Sequence, residues 1–248
     1  MGGKASPRRD YRSFLAGHNP LVQPRSSVPG PAATLSEKVY RALKRDIIRG
    51  VYQPGEALSE KALTVRYKGS RTPLREAAVR LQNERLLRIV PNRGYFVSPI
   101  SLQVLNDIYE FRAAVESAAA ELAAAKGADP EQLKKLEQLC EVSCTPEDRK
   151  SCVDFIEADT AFHVGIARLA RNQMLLQAVS EARSQMERIM YAAIDIHYFG
   201  ELPGREHREI LQAIRDHDPE RARQRMHNHI MQSKDKVMGV TKPVARQI

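Results

Sequence analysis

Residues 68–81 read KGSRTPLREAAVRL and decide the fold of the N-terminal part of the chain. The apolar residues recur at the spacing of one helical face and predict a helix with one buried side: Leu74, Ala77, Ala78 and Leu81. Ser70 is the predicted N-cap, and Arg71, Thr72 and Arg75 follow in the first exposed turns. Such a helix suits DNA, because a guanidinium can bind guanine in the major groove and helix N-terminal amides bind phosphates.

The segments on either side of this helix complete a pattern. Residues 34–50, TLSEKVYRALKRDIIRG, place Val39, Leu43 and Ile47 on one helical stripe. A Pro-Gly turn and a short extended piece then lead to a second helix, with Ser59 as its N-cap. After the third helix, LLRIV and YFVSPI are two β-prone runs around the turn PNRG. Helix, helix, turn, helix and hairpin together predict a winged helix-turn-helix.

The charge of the chain is concentrated in the same part. Residues 1–100 hold 19 of the 39 Lys and Arg but only 7 of the 30 Asp and Glu, whereas residues 101–248 hold 20 and 23. A basic half joined to a slightly acidic half indicates a polyanion-binding module and a module with another role. The alternative is a solvated helix face whose arginines form surface ion pairs with Glu76 and Glu84.

The ends and the cysteines limit the class of protein. Residues 1–33 are rich in Pro, Gly, Ser and Arg and predict a disordered basic arm, while residues 239–248 predict a flexible tail. The sequence shows neither a signal peptide nor an apolar run that could span a bilayer, so we expect a cytoplasmic protein with no membrane partner.

Three cysteines are an odd number, which argues against a disulfide framework and favours buried or idle thiols over a metal or redox cluster.

Residues 101–238 predict an all-helical antiparallel bundle. SLQVLNDIYEFRAAVESAAAELAAAKG is one long helix that begins after Ser101 and ends at Gly127, and four or five amphipathic helices follow between Pro130 and about Val237. The predicted fold is therefore mainly α, with an N-terminal winged helix-turn-helix at residues 34–100 and this bundle behind it.

Histidines in the bundle suggest a metal site. Asp159 and His163 are one helical turn apart and point from the same face, and His207 and His229 lie in two later helices. Imidazole nitrogens and a carboxylate presented from three helices are a ligand set for Zn(II), Ni(II) or Mn(II). Each histidine taken singly is more often a core or surface residue, so the prediction depends on the set.

Residues 35–98 resemble the DNA-binding domain of the GntR superfamily of bacterial transcription regulators. LSEKVYRALKRDIIRGVYQPGEALSEKAL, SRTPLREA and RIVPNRGYFV carry the resemblance. It implies these DNA contacts: Lys61, Ser70, Arg71, Thr72, Arg75, and Arg93 and Gly94 at the wing tip. The sequence departs from the family at Lys68 and Gly69, where the family has glycine and valine, and at Arg85, where it has glycine. A non-glycine residue in a left-handed C-cap costs about 1 kcal/mol.

Residues 101–238 resemble the FCD effector-binding domain of the FadR-type branch, in its six-helix VanR-like form. The resemblance rests on R-x3-E, on D-x3-H followed by N, and on H-x2-I-x2-A-I leading to the last histidine. It implies four metal ligands, Asp159, His163, His207 and His229, and an organic or sugar acid as effector. Arg112 is the candidate partner of that carboxylate, with an ion pair to Glu116 on the helix surface as the alternative. Asn172 is a second candidate, or a helix cap.

Three functions follow from these features. The first is a homodimeric regulator that binds a palindromic operator in double-stranded DNA and responds to a small carboxylate. The second is a metal-dependent enzyme with a DNA-binding localisation module, although the sequence shows no paired acid and base, nucleophile elbow or phosphate loop. The third is a DNA-architectural protein with no effector. We expect the first function, under which the protein is not an enzyme.

Overall fold

The structure is a computed structural model that describes residues 34–145, 147–194 and 203–241. The predicted basic arm at 1–33 lies outside the described residues, as does most of the predicted tail. The last described helix runs through Thr241, so residues 239–241 of the predicted tail are helical.

The N-terminal part contains three helices and a small sheet. The helices are α1 (Leu35–Ile48), α2 (Glu60–Arg66) and α3 (Arg71–Asn83), and the strands are β1 (Ala57–Leu58), β2 (Leu87–Val90) and β3 (Gly94–Val97). The strands are antiparallel in the order β1-β3-β2, with Arg88 opposite Phe96. All three residues of the predicted α1 stripe and all four of the predicted α3 face are buried in one core with the sheet. The helix-turn-helix and its wing are therefore present as predicted.

Left-handed backbone occurs where the sequence departs from the family pattern. Lys68 has φ 48° and Arg85 has φ 58°, so both adopt the conformation that glycine favours. In the wing turn, Gly94 has φ 95°, and a Cβ atom there would lie 3.3 Å from the carbonyl oxygen of Leu58. Glycine at 94 thus provides both the turn and the close approach of β1 to β3.

The C-terminal part contains six helices in the described residues. They are α4 (Leu102–Lys126), α5 (Pro130–Leu139), α6 (Arg149–Leu169), α7 (Gln173–Ala193), α8 (Pro203–Arg215) and α9 (Pro219–Thr241). The hydroxyl of Ser101 accepts a hydrogen bond from Val104 N at the start of α4, and Gly127 ends the helix with φ 72°. The α4 helix packs against α6, α7, α8 and α9, so it forms the centre of the bundle. The fold class predicted from the sequence is confirmed.

The prediction of unpaired cysteines was wrong for two of the three. Cys144 and Cys152 form a disulfide with their Cα atoms 4.2 Å apart, while Cys140 is free and buried. An odd count requires only that one thiol remain unpaired. The chain turns back between α5 and α6, and that turn brings two cysteines only eight residues apart into contact.

Side chains of the bundle hold the DNA-binding part directly. Arg49, which ends α1, lies 2.5 Å from Glu157 of α6. From α7, Gln185 donates to the carbonyl oxygen of Glu84 at the end of α3, and Arg188 donates to that of Ser98 after β3. The helices at 34–145, 147–194 and 203–241 include none long and apolar enough to cross a membrane.

Candidate metal centre and nucleic-acid interface

Four side chains from three helices converge inside the bundle. Asp159 and His163 lie one turn apart on α6, His207 lies on α8 and His229 on α9, and all four are buried. The Nε2 atom of His229 lies 3.2 Å from that of His207 and 3.3 Å from that of His163. Asp159 Oδ1 lies 3.7 Å from His163 Nε2 and 3.6 Å from His207 Nε2. The nitrogens of the three imidazoles therefore face one another and the carboxylate.

The opposite edges of two of these imidazoles face carboxylates. His163 Nδ1 lies 2.6 Å from Glu116 Oε2, and His229 Nδ1 lies 2.6 Å from Glu206 Oε2. The ring of His207 stacks on Phe162 instead, with ring centroids 3.9 Å apart. At His229, the hydrogen bond to Glu206 holds the proton on Nδ1 and leaves the Nε2 lone pair directed at the shared centre, as metal-binding histidines require.

The electrostatics keep His207, His229 and Asp159 in the protonation state that binds metals. Burial, followed by the neighbouring His229, holds the pKa of His207 well below its usual value, and burial likewise lowers the pKa of His229. Burial alone would raise the pKa of Asp159, but Arg183 and His163 hold that pKa well below its usual value. Two neutral imidazoles and an ionised carboxylate result.

The spacing of the donor atoms fits a metal ion. Ligand atoms placed about 2.1 Å from a tetrahedral Zn²⁺ are about 3.4 Å apart. Four of the six separations among these donor atoms run from 3.2 to 3.7 Å, and among the described residues the three histidines alone form the set whose ligand atoms all lie within 4.8 Å of one another. The arrangement suits a divalent ion, because one ion can accept lone pairs from all three imidazoles.

The structure gives the two predicted effector-binding residues other partners. The guanidinium of Arg112 is buried, with its Nε donating to Glu116 Oε1 over 2.6 Å. The ion pair considered for the helix surface thus lies in the interior, behind His163. The side chain of Asn172 accepts hydrogen bonds from Met174 N and Leu175 N as the N-cap of α7. The alternative role given to Asn172, a helix cap, is the one that the structure shows.

The predicted DNA-contacting side chains lie at the surface of the N-terminal part. Lys61, Ser70, Arg71, Thr72, Arg75 and Arg93 are exposed, and Gly94 is half-buried in the wing. Ser70 occupies the N-cap position of α3, but its hydroxyl makes no capping hydrogen bond. The arrangement leaves polar groups at the start of α3 pointing to solvent, as a helix that contacts DNA requires.

Arg71 and Arg75 of α3 pair with a residue that is absent from the predicted DNA contacts. Glu60, at the start of α2, lies 3.4 Å from Arg71 Nε and 3.2 Å from Arg75 Nε. Glu84, expected as a surface partner, instead contacts Lys44 over 2.6 Å and accepts from Tyr40.

Three functional candidates were missed for different reasons. Glu206 is adjacent to a predicted ligand, and its place one residue before His207 could have drawn attention to it. Glu60 sits in the first turn of a helix, where an acidic residue is ordinarily explained by the helix dipole. Arg183, buried and bonded to Asp159 and to the hydroxyl of Thr160, follows no local pattern, because its partners are on another helix.

Comparisons with known proteins identify both parts of the chain. Residues 35–97 match the family "Bacterial regulatory proteins, gntR family", and residues 107–232 match the FCD domain. The chain is 30% identical over 207 residues to the HTH-type transcriptional repressor RspR of Escherichia coli K12, covering 84% of this chain and 90% of RspR. It is 38% identical over 141 residues to the repressor GlaR of the same strain, covering 56% of this chain and 64% of GlaR.

A solved structure shows the same fold. The putative GntR transcriptional regulator of Rhodococcus sp. RHA1 superposes with a TM-score of 0.68 at 23% identity, covering 82% of this chain and 97% of that one. The relatives found by sequence are transcriptional regulators and not enzymes. This chain belongs to the GntR family of DNA-binding transcriptional regulators and carries an FCD domain behind its winged helix-turn-helix.

Proposed function

We propose that the protein is a regulator whose affinity for its operator is controlled by a small carboxylate bound at a divalent metal ion. Residues 34–100 bind the DNA, and residues 101–238 bind the metal and the effector and form a homodimer. The metal ligands are Asp159, His163, His207 and His229. The observation that carries the proposal is the convergence of three imidazole nitrogens inside the FCD domain, with a carboxylate oxygen of Asp159 close to two of them.

A divalent ion held by these four residues would supply a Lewis-acidic centre for an anion. Zn²⁺, Ni²⁺ and Mn²⁺ are the candidates, since imidazole and carboxylate suit all three ions. The donor spacing favours Zn²⁺, and an expanded coordination shell would accept a carboxylate oxygen beside the four protein ligands.

The balance of charge around the site supports an anionic effector. Arg112 and Arg183 are buried with Glu116 and Asp159, so the two positive and two negative charges cancel. A divalent cation bound by neutral imidazoles adds two positive charges to this interior. Buried charge without a counter-ion is costly, and a carboxylate with one or two negative charges would offset it.

The two arginines are the proposed neighbours of that carboxylate. Arg183 contacts the ligand Asp159 itself, and the Nε atom of Arg112 is occupied by Glu116, so the terminal nitrogens of Arg112 would face the anion. Asn172 is the weaker candidate because its oxygen already caps α7.

Contacts between the domains provide a physical link from this site to DNA. Glu157 lies two residues before Asp159 on α6 and pairs with Arg49. Gln185 and Arg188 follow Arg183 on α7 and bond to the DNA-binding part. An effector can shift the protein between DNA-competent and DNA-incompetent arrangements only through different affinity for the two. A two-fold dimer would present two copies of α3, so we expect an imperfectly palindromic operator.

His207→Ala tests the proposal. Melting temperatures with Zn²⁺, Ni²⁺ or Mn²⁺, with a chelator, and with a panel of small carboxylates would identify the metal and the acid. The variant should keep basal binding to the operator and lose the response to both ligands. His227→Ala is the matched control, since His227 is exposed on α9 two residues from His229. A folded, dimeric His207→Ala protein that still responds to the same acid would refute the effector site.

A further inference from the structure

Glu60 connects the three parts of the predicted DNA-binding surface. Its carboxylate lies against Arg71 and Arg75 of α3, and it also accepts a hydrogen bond from the hydroxyl of Tyr95 on β3 over 3.0 Å. Tyr95 is buried, so the wing holds the carboxylate from the inner side. One acidic group thus fixes the start of α2, the start of α3 and the wing relative to one another.

Glu60 leaves free the edge of the Arg75 guanidinium that can contact a base. Glu60 Oε2 lies 3.2 Å from Arg75 Nε, and Oε1 lies 3.3 Å from one terminal nitrogen. A guanidinium offers a second edge made by its two terminal nitrogens, and a bidentate contact to guanine O6 and N7 uses such an edge. The carboxylate therefore holds the side chain by one edge without blocking the other.

Folding stability does not explain this arrangement. Arg71 and Arg75 are largely exposed, with side chains 79% and 64% accessible, and exposed ion pairs contribute little to stability. A negative charge on a surface that approaches phosphates also weakens binding to any DNA. An advantage for specific recognition would compensate for both effects.

We propose that Glu60 is a positioning residue that sets the sequence specificity of α3, by holding Arg71 and Arg75 in the orientation that reads guanine. The carboxylate reduces the rotamers that the long arginine side chains sample before they meet DNA. It also lowers the affinity for DNA that lacks guanine at the matching positions, where the arginines would otherwise bind phosphates.

Glu60→Gln and a charge-matched control, Glu76→Gln, test the proposal. Glu76 is exposed on α3 itself, and in the described part of the chain it pairs with neither arginine. The wild-type protein would select its preferred duplex from randomised DNA, and anisotropy at one salt concentration would give its affinity for that duplex and for an unrelated duplex of equal length.

The expected result is a change in the ratio of the two affinities. Glu60→Gln should lower the preference for the selected duplex about tenfold, the scale of one base contact. Glu76→Gln should strengthen binding to both duplexes equally and keep the ratio. An unchanged ratio in Glu60→Gln, or the same loss in both variants, would overturn the proposal.

Two further variants separate positioning from a structural role. Tyr95→Phe removes only the hydroxyl that holds Glu60, so it should lower the ratio in the same direction by a smaller factor. The double variant Glu60→Gln with Arg75→Ala should lose less specificity than the sum of the two single losses, because part of the effect of Glu60 acts through Arg75 and the rest through Arg71. Fully additive losses in proteins with the wild-type circular dichroism and melting temperature would show that Glu60 does not act through Arg75.

Discussion

Glu206 should control how tightly the proposed centre holds its metal. Its Oε2 atom lies 2.6 Å from His229 Nδ1, and its other oxygen lies 3.5 Å from Lys236 Nζ. Burial would raise the pKa of Glu206, but the hydrogen bond to His229 and the charge of Lys236 hold that pKa below its usual value. The ionised carboxylate fixes the proton of His229 on Nδ1 and makes Nε2 a better donor to a cation.

The expected loss of metal affinity depends on which atoms of Glu206 each substitution keeps. Loss of a group that orients a metal-binding histidine reduces metal affinity by about 10- to 100-fold, or about 1.4 to 2.8 kcal/mol. Glu206→Gln keeps an oxygen that can accept from Nδ1 but loses the charge, so we expect about a tenfold loss. Glu206→Ala loses both, so we expect a loss of about 100-fold.

Competition with a chromophoric chelator for Zn²⁺ would measure these losses on the full chain. Glu209→Gln is the matched control: it removes one carboxylate from the same helix, where Glu209 pairs with the exposed arginines Arg205 and Arg225. Wild-type Zn²⁺ affinity in Glu206→Ala, combined with weak binding in His207→Ala, would refute the orienting role of Glu206. Wild-type affinity in both variants would refute the metal centre itself.

Three other predictions concern DNA binding, coupling and pH. Arg71→Ala and Arg75→Ala should each weaken operator binding by about 1–3 kcal/mol without loss of folding, and equal operator affinities at one salt concentration would contradict this. Arg188→Met should retain Zn²⁺ affinity but reduce any Zn²⁺-dependent change in operator affinity, and an undiminished change would exclude the Arg188 contact from the coupling. Burial, the largest cause, raises the pKa of Glu187 from 4.5 to about 7, so the folded protein retains a proton that the unfolded chain releases above pH 4.5. The wild type should lose up to about 3 kcal/mol of unfolding free energy, relative to Glu187→Gln, as pH rises from 4.5 through 7. Urea denaturation would measure this difference against Glu181→Gln, an exposed change on the same helix, and parallel pH profiles for wild type and Glu187→Gln would contradict it.

Patterns within single elements predicted most of the fold. The stripe of Val39, Leu43 and Ile47 marks a buried helical face wherever it packs, and Ser101 and Gly127 bound α4 through contacts made within a few residues. These features depend on local spacing and capping, so the amino-acid order is sufficient to predict them.

Local patterns could not predict which side chains on different elements pair with one another. The i,i+4 spacing of Arg112 and Glu116 predicts their ion pair, but only the packing of α4 against α6 places that pair behind His163. In the same way, Arg75 has an acidic neighbour on its own helix, Glu76, yet it pairs with Glu60 of α2. Distances between helices depend on the whole core, and a shift of one turn would give each arginine another partner.

The helices α6 and α7 carry both the Asp159–Arg183 pair and the contacts to the DNA-binding part. This arrangement restricts how the proposed metal centre can be coupled to the DNA-binding surface. On α6, Asp159 lies two residues from Glu157, and on α7, Arg183 lies five residues from Arg188. A helix moves as a rigid unit over such a distance, because each backbone amide is bonded four residues back. A movement that alters the Asp159–Arg183 pair would therefore shift the Glu157 and Arg188 contacts together. The carbonyl that Arg188 holds follows directly after the wing strand, so such a shift would reach the wing as well as the end of α1.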